Sequence, residues 1–150
     1  MAGLKWADFS QQEPELAKFG EARLDGKVSY MSTIRQDGSP ATHPVTLLIG
    51  GGACFLFAQP DTAKVKDFNA NKQFSLHCAM SDSSGSSGEF QMAGIVEYNE
   101  DEEVRLLAES ICHYRPSASY LLYELLVSDV MSNCYKGGRA NRKRWRLTET

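Results

Sequence analysis

The sequence predicts a mainly β fold, a β-barrel of six to seven short antiparallel strands with flanking helices. Segments rich in β-branched and aromatic residues follow one another from about residue 27 to 98. Tight-turn signals separate them, since Asp37-Gly38 is a strong hairpin signal and three glycines occupy 50–52. Closing such a sheet removes its exposed edges. A chain of 150 residues that is 42% hydrophobic can bury one core, so we expect a single domain over residues 1–150.

The positions of the strands are predicted from the alternation of apolar and polar residues and from the turns between the segments. In the segment KVSYMSTI, Val28, Tyr30 and Ile34 alternate with polar residues, which predicts a first strand at 27–34. The other expected strands cover about 40–49, 53–58, 74–80, 90–98, 127–135 and 143–147.

Helices are expected between and beside these strands. Ser10-Gln-Gln-Glu13 has the form of a capping box and predicts a helix at about 11–25. Asp61 is a plausible N-cap for a short helix at about 62–70. The acidic segment from 99 onward favours a helix that ends before Pro116, and a helical turn is expected through SASYLLYEL, residues 117–125.

Charge and composition exclude several classes of protein. A net charge of −3 and a pI near 5.6 argue against a general nucleic-acid or membrane-surface binder, which would carry excess Lys and Arg. No apolar run approaches the roughly 18 residues that span a bilayer, and the first residues lack the apolar stretch of a secretion signal. We therefore expect a cytoplasmic protein.

The cysteines do not indicate a metal or redox centre. No CxxC pair is present, and adjacent His77 and Cys78 would point to opposite faces of a strand. We expect ordinary thiols and no metal at the four cysteines, Cys54, Cys78, Cys112 and Cys134.

Pro44 lies in the middle of the second expected strand, although proline has no backbone N–H to donate to a ladder. Such a residue is normally confined to sheet edges or bulges. We therefore expect this strand to border an opening, with something other than a neighbouring strand against it.

Thr62-Ala63-Lys64-Val65-Lys66 places two lysines in the first turn of the expected helix. The helix dipole disfavours positive charge there, unless an anion is bound. Free backbone N–H groups, a threonine hydroxyl and two ammonium groups together can form a phosphate site. Two solvated surface lysines are an equally good interpretation of these residues alone.

The order of these segments resembles the FMN-binding split barrels of the pyridoxamine 5'-phosphate oxidase family. Members of that superfamily show a Pro-Val pair in the second strand, a Ser/Thr-x-Lys turn and an Asn before the fourth strand. This sequence has Pro44-Val45, Thr62-Ala63-Lys64 and Asn71 at those places. The resemblance covers about residues 20–98 and is weak beyond residue 100.

The resemblance implies that FMN, or a related deazaflavin, lies in a groove between the two subunits of a homodimer. The second strand would face the isoalloxazine ring, the third strand would flank it, and the helix after it would hold the phosphate. Gln91 or Glu89 would lie near the ring. The implied cofactor-binding residues are His43, Pro44, Val45, Thr46, Phe57, Ala58, Thr62, Lys64, Lys66, Gln91 and Trp145.

The basic segment RANRKRWRLTE near the C-terminus has two interpretations. One is a solvated edge strand whose charges suppress aggregation. The other, implied by the resemblance, is that Trp145 or a neighbouring Arg reaches across the dimer. Authentic oxidases end in Arg-Leu-x-Pro, whereas this chain has Arg146-Leu147-Thr148-Glu149. We therefore expect a substrate other than pyridoxamine phosphate.

Three functional hypotheses remain open at this stage. The leading one is a homodimeric FMN-dependent oxidoreductase, whose flavin accepts hydride or electrons while the protein positions it. The second is a carrier or sensor of flavin, deazaflavin or haem without turnover. Its candidate haem ligands are His43, His77 and His113. The third is a structural dimer with exposed lysines. The sequence identifies neither a catalytic residue nor the substrate.

Overall fold

The computed structural model describes residues 3–148, which form eight strands and four helices. The strands are β1 Val28–Ile34, β2 Pro40–Thr46, β3 Leu48–Gly50, β4 Ala53–Ala58, β5 Gln73–Cys78, β6 Glu89–Asn99, β7 Leu121–Lys136 and β8 Arg139–Arg146. The helices are α1 Trp6–Gln12, α2 Pro14–Leu24, α3 Ala63–Ala70 and α4 Glu102–Ser110. The predicted mainly β fold with helices beside the sheet is confirmed.

All strand pairs are antiparallel, in the order β2-β1-β5-β6-β7-β4-β3, and β8 pairs with β7. The two end strands, β2 and β3, follow each other in the chain and are separated only by Leu47. Because one residue joins them, the sheet has to curl until its two ends meet. The ring of strands is completed by chain continuity at Leu47 and not by a ladder, which gives a split barrel.

The core fills the inside of this ring. Phe9, Met31 and Leu125 are fully buried there. Helix α1 brings Phe9 to the barrel, where its ring centroid lies 4.9 Å from that of Trp145. A second apolar cluster lies on the outside of β4 and β7, where α4 covers it.

The expected helix at 11–25 is wrong in its start and its continuity. Two helices, α1 and α2, meet at Glu13 because Pro14 lacks the N–H that α1 needs to continue. Pro14 instead occupies the first turn of α2, where a missing N–H is harmless. Ser10 lies inside α1 and donates to the carbonyl of Trp6 at 2.8 Å, so it forms no capping box.

The helical turn expected at 117–125 is also wrong, because β7 begins at Leu121. Residues 122–127 are buried without interruption. The core covers one face of this part of β7, while α4 and the N-terminal segment cover the other. A strand buried on both faces loses its period-two pattern, so its continuous apolar run resembles that of a buried helix.

The basic C-terminal segment forms β8, which has β7 as its only partner strand within residues 3–148. Every residue of β8 is exposed except Trp145. In the single chain, the basic segment is therefore an exposed edge strand, and its role stays a prediction. In the part of the chain described, no helix has the length and apolar character needed to cross a membrane.

Candidate functional site

Pro44 lies on a sheet edge, as predicted. Strand β2 pairs with β1 along one side, where Tyr30 faces Pro44, and no strand within 3–148 pairs with its other side. Pro44 itself is exposed. Its missing N–H therefore leaves no ladder bond unmade on the open side, and this edge of the barrel is available to a ligand.

Side chains alternate along β2. His43 and Val45 lie on the barrel side with Met31, whereas Pro44 lies on the outer face with Tyr30. Val45 belongs to the core, and Thr46 is half-buried just before the bend at Leu47.

His43 is tied to two buried polar side chains from other elements. Its Nε2 atom lies 2.9 Å from Oγ1 of Thr33 on β1. The Thr33 hydroxyl donates to Oδ2 of Asp67 on α3 at 2.6 Å, and His43 Nε2 lies 3.6 Å from that same oxygen. Thr33 is 1% exposed and Asp67 6%. The three residues join β2, β1 and α3 in one network.

The N-terminus of α3 has no side-chain cap. Thr62 is the N-cap residue in place of the expected Asp61, but its hydroxyl donates backward to the carbonyl of Gln59 at 2.9 Å. The first turn contains no acidic residue. The backbone N–H groups that begin a helix therefore lack a protein acceptor from this cap.

The two lysines of this turn differ in environment. Lys66 is exposed, whereas Lys64 is partly buried and burial holds its pKa below the ordinary lysine value. Lys64 precedes Asp67 by three residues, a spacing that places both on one face of a helix. Since Asp67 reaches toward His43, Lys64 lies on the side of α3 that turns to β2. The contact of Asp67 with His43 thus joins α3 to β2, the two elements that contain these predicted residues.

Gln91 lies apart from this group, on the outer face of the sheet. Pro44, Tyr30, His77 and Gln91 face one another in one row across four strands. Three strand spacings of about 4.8 Å separate Pro44 from Gln91 by roughly 14 Å. Gln91 donates to Glu89 at 3.3 Å, so the two residues predicted as alternatives near the flavin ring are neighbours.

The outer face carries three shallow open cavities of about 260, 280 and 310 Å³. Ser75 lines all three, and Gln91 lines two of them. Tyr30, which is 48% exposed, borders the smallest.

Phe57 and Ala58 do not lie on an open surface of the chain. Phe57 is packed under α4, with the guanidinium carbon of Arg105 5.3 Å from its ring centroid. Arg105 is held in place by the carbonyl of Tyr120 at 2.7 Å. Ala58 points into the main core. Contact of either residue with a cofactor stays a prediction.

Trp145 is also occupied within its own chain. It is 9% exposed, its ring packs against Phe9, and its Nε1–H donates to Oε1 of Gln12 at 3.0 Å. A reach across a dimer would require these contacts to break, and it stays a prediction. Glu149, which stands where the oxidases have proline, lies outside the described residues.

Thr33 and Asp67 were missed by the sequence analysis. Asp67 lies between Val65 and Phe68, which both face the core, and this neighbourhood is the local signal that it is buried. A buried carboxylate needs a hydrogen-bonding partner, but nothing in the sequence indicates that Thr33 provides it.

The remaining histidines are engaged elsewhere. His77 Nδ1 lies 2.6 Å from the carbonyl oxygen of Cys78, and its Nε2 lies 3.3 Å from Glu89. His113 is exposed, with Nε2 3.7 Å from Asp25. All four cysteines are free thiols, and residues 3–148 contain no cluster of three or more metal-ligating side chains.

No protein-family model matches the sequence, and no curated protein matches it. Several solved structures do match. A haem-binding protein from Mycobacterium smegmatis has a TM-score of 0.67 and 20% identity, over 86% of this chain and 56% of that one. The chain therefore spans little more than half of that protein.

Two further structures match over most of their own length. An F420 reductase has a TM-score of 0.57 and 16% identity, over 73% of this chain and 94% of that one. A protein from Listeria innocua, provisionally named a pyridoxamine 5'-phosphate oxidase, has a TM-score of 0.60 and 15% identity, with coverages of 80% and 95%. At these identities the likeness concerns the fold, and the chain therefore has the split-barrel fold of the pyridoxamine 5'-phosphate oxidase-like structures.

Proposed function

We propose that the chain binds FMN or a deazaflavin and acts, as a homodimer, as an oxidoreductase on a small molecule. The observation that carries this proposal is the uncapped N-terminus of α3, with Lys64 partly buried beside it. A helix start with free N–H groups and nearby ammonium groups suits a terminal phosphate.

The donor set around α3 fits a phosphate group. The helix dipole makes two cations in a first turn unfavourable by a few tenths to about 1 kcal/mol each, and partial burial of Lys64 adds to that cost. A bound dianion reverses both effects. Lys64, Lys66 and the first-turn backbone N–H groups would hold the phosphate, while the open edge of β2 at His43 and Pro44 would lie along the ring.

The homodimer is supported by the shape of the outer face. Ligand sites usually enclose about 300–1,000 Å³, and the three open cavities of the outer face have volumes of about 260, 280 and 310 Å³. Val28 and Tyr30 lie on this face and are 47% and 48% exposed. A second copy packed here would cover these apolar side chains and supply the missing wall of a cofactor groove.

A bound flavin would supply hydride or electron transfer, and the protein would bind and orient it and exclude water. This division of labour requires no acid–base pair of side chains. The F420 reductase and the provisionally named oxidase, which share the fold, support a flavin-type cofactor.

Haem binding is the second candidate, and the similar haem-binding protein favours it. The three histidines give it less support. Nε2 of His43 is engaged with Thr33, both nitrogens of His77 face protein acceptors, and His113 lies at the surface beside Asp25.

The visible spectrum and mass spectrometry of the purified protein test the proposal. A flavin or deazaflavin chromophore and a matching copurified mass are expected, together with dimer mass in sedimentation. A matched pair of variants, Tyr30→Arg on the outer face and Tyr114→Arg elsewhere on the surface, separates the interface from general effects. A colourless protein that takes up neither FMN nor F420 would contradict the proposal. A Soret band on haem titration would favour the second candidate.

A further inference from the structure

We propose that His43 recognises a hydrogen-bond donor on the bound ligand, through an Nδ1 atom that Thr33 and Asp67 hold as an acceptor. This inference rests on the proposed function and goes beyond it, because it assigns a specificity-determining role to one side chain and indicates which ligand group it contacts.

The protons of the network can be counted. A carboxylate only accepts hydrogen bonds, so the single hydroxyl proton of Thr33 is used in its 2.6 Å bond to Asp67. The 2.9 Å contact between Thr33 Oγ1 and His43 Nε2 then requires a proton on the nitrogen. His43 Nε2 is therefore the donor in this contact.

A neutral imidazole carries one N–H, and its other nitrogen is an acceptor. With the proton fixed on Nε2, the lone pair of His43 is on Nδ1. The hydrogen-bond network from Asp67 through Thr33 to His43 thus selects one tautomer of the histidine.

His43 Nδ1 is accessible from outside. It has no hydrogen-bond partner among residues 3–148. In that range, two fully buried side-chain nitrogen or oxygen atoms lack a partner, Ser29 Oγ and Asn133 Oδ1. Because Nδ1 of the half-buried His43 also lacks a partner but is not one of these buried atoms, it reaches solvent. An acceptor fixed by buried groups but open on its free side is suited to contact a ligand.

The position of His43 is constrained by its buried partners. Thr33 and Asp67 are almost fully buried on β1 and α3, and only 17% of the His43 side chain is exposed. The direction of the lone pair is therefore determined by three elements of the fold, at the open edge beside Pro44. A ligand bound along this edge gains a hydrogen bond only if it presents an N–H or O–H group there.

Flavins and deazaflavins both carry such a group. The ring systems of oxidised flavins and deazaflavins share one N–H group, at N3, and their other donors are hydroxyl groups, on the ribityl chain and at position 8 of the F420 ring. Haem offers no ring N–H, because its four nitrogens bind the iron. The fixed acceptor at His43 therefore favours the flavin class, and it would accept a hydrogen bond from N3–H.

The inference is tested with two probes, FMN and FMN methylated at N3, by fluorescence titration. We expect the wild-type protein to bind FMN at least about 3- to 10-fold more tightly, the range for one neutral hydrogen bond. His43→Phe should reduce this preference, and Thr33→Val should reduce it without touching the ligand. Thr33→Ser keeps the hydroxyl and should retain it.

Nitrogen NMR of the histidine-labelled apoprotein gives a readout that is independent of binding. The wild-type His43 should show a protonated Nε2 and an unprotonated Nδ1, and Thr33→Val should show a mixture of tautomers. Addition of FMN should shift the Nδ1 resonance, while those of His113 stay unchanged. A proton on Nδ1 in the wild-type apoprotein would overturn the inference.

The outcomes separate this inference from the proposed function. If the wild-type protein binds FMN and its N3-methyl analogue equally well, or if His43→Phe keeps the full preference for FMN, the role of His43 is refuted and the flavin site stands. If the wild-type protein binds neither probe nor F420, the proposed function fails, and the role of His43 fails with it.

Discussion

Replacing Lys64 with methionine should stabilise the apoprotein and weaken FMN binding. The ammonium group of Lys64 is unfavourable in the apoprotein and favourable once the phosphate of FMN is bound. Lys64 lies in the first turn of α3 and is partly buried. Methionine keeps the apolar stem and removes the charge. Removing the unfavourable interaction of this charge with the helix dipole should raise the free energy of unfolding by a few tenths to about 1 kcal/mol. For a chain of this size that corresponds to a rise of about 1 to 4 °C in Tm.

The pH dependence of stability gives the same prediction a second readout. Burial lowers the folded-state pKa of Lys64 below its ordinary value of 10.5. Between these two pKa values the unfolded chain binds more protons, so the stability of the wild type rises with pH across that window. Lys64→Met should lose this rise, which urea unfolding at several alkaline pH values would measure.

Lys64→Met should weaken FMN binding, and by a larger free energy than it stabilises the apoprotein. Hydrogen bonds to charged groups contribute about 1.5–3 kcal/mol, so loss of one should weaken FMN binding by about 10- to 150-fold. Riboflavin lacks the phosphate, and its affinity should change little. Lys18→Met, at an exposed lysine in the middle of α2, is the matched control and should change neither stability nor affinity. A lower Tm of the apoprotein, or unchanged FMN affinity, would refute the reasoning.

Three other predictions concern stability and reactivity. Glu124→Gln should stabilise the protein at pH 8 in urea unfolding, since burial raises the pKa of this carboxyl above 4.5 and wild-type stability falls as pH rises through the raised value. Gly94→Ala should prevent native folding, seen as loss of soluble protein and of cooperative unfolding, because an added Cβ would overlap the carbonyl oxygen of Leu126. The buried Cys54, whose thiol pKa burial raises, should resist a thiol reagent in the native protein, whereas the partly exposed Cys134 reacts.

Each of these has a clear contrary result. A Glu124→Gln protein that is less stable than wild type at pH 8 would show that the carboxylate makes a favourable contact. Gly38→Asn is the control for Gly94→Ala, since Gly38 has open space around it and a positive φ that Asn tolerates. A soluble Gly94→Ala protein with wild-type Tm would contradict the overlap. Modification of Cys54 at the rate of Cys134 would contradict its burial.

Elements with local causes were predictable from the sequence. The Asp37-Gly38 turn forms as expected, with Asp37 Oδ1 accepting from the N–H of Ser39 at 3.0 Å and Gly38 at φ 87°. Helix α3 lies within one residue of the expected 62–70. These features depend on residues a few positions apart, so the sequence pattern contains most of the relevant physics.

Predictions failed where burial came from distant parts of the chain. The strand expected at 40–49 bends at Leu47 because the sheet has to return to its other end. The sequence likewise does not show that α4 covers Phe57, whose contact with a cofactor stays a prediction. Nor does the sequence show that α1 provides Gln12 and Phe9 as partners of Trp145, whose reach across a dimer stays a prediction. The sequence pattern shows that a residue is apolar and not which element covers it.

The sequence by itself determined the succession of strand segments between residues 27 and 98, the hairpin at Asp37-Gly38 and the pair of lysines that begins α3, because each arises from near neighbours. Only the tertiary structure decided that Pro44 borders the open edge of a ring and that His43 meets Thr33 and Asp67. These contacts join residues 10 to 34 positions apart, whose proximity depends on how the whole sheet curls.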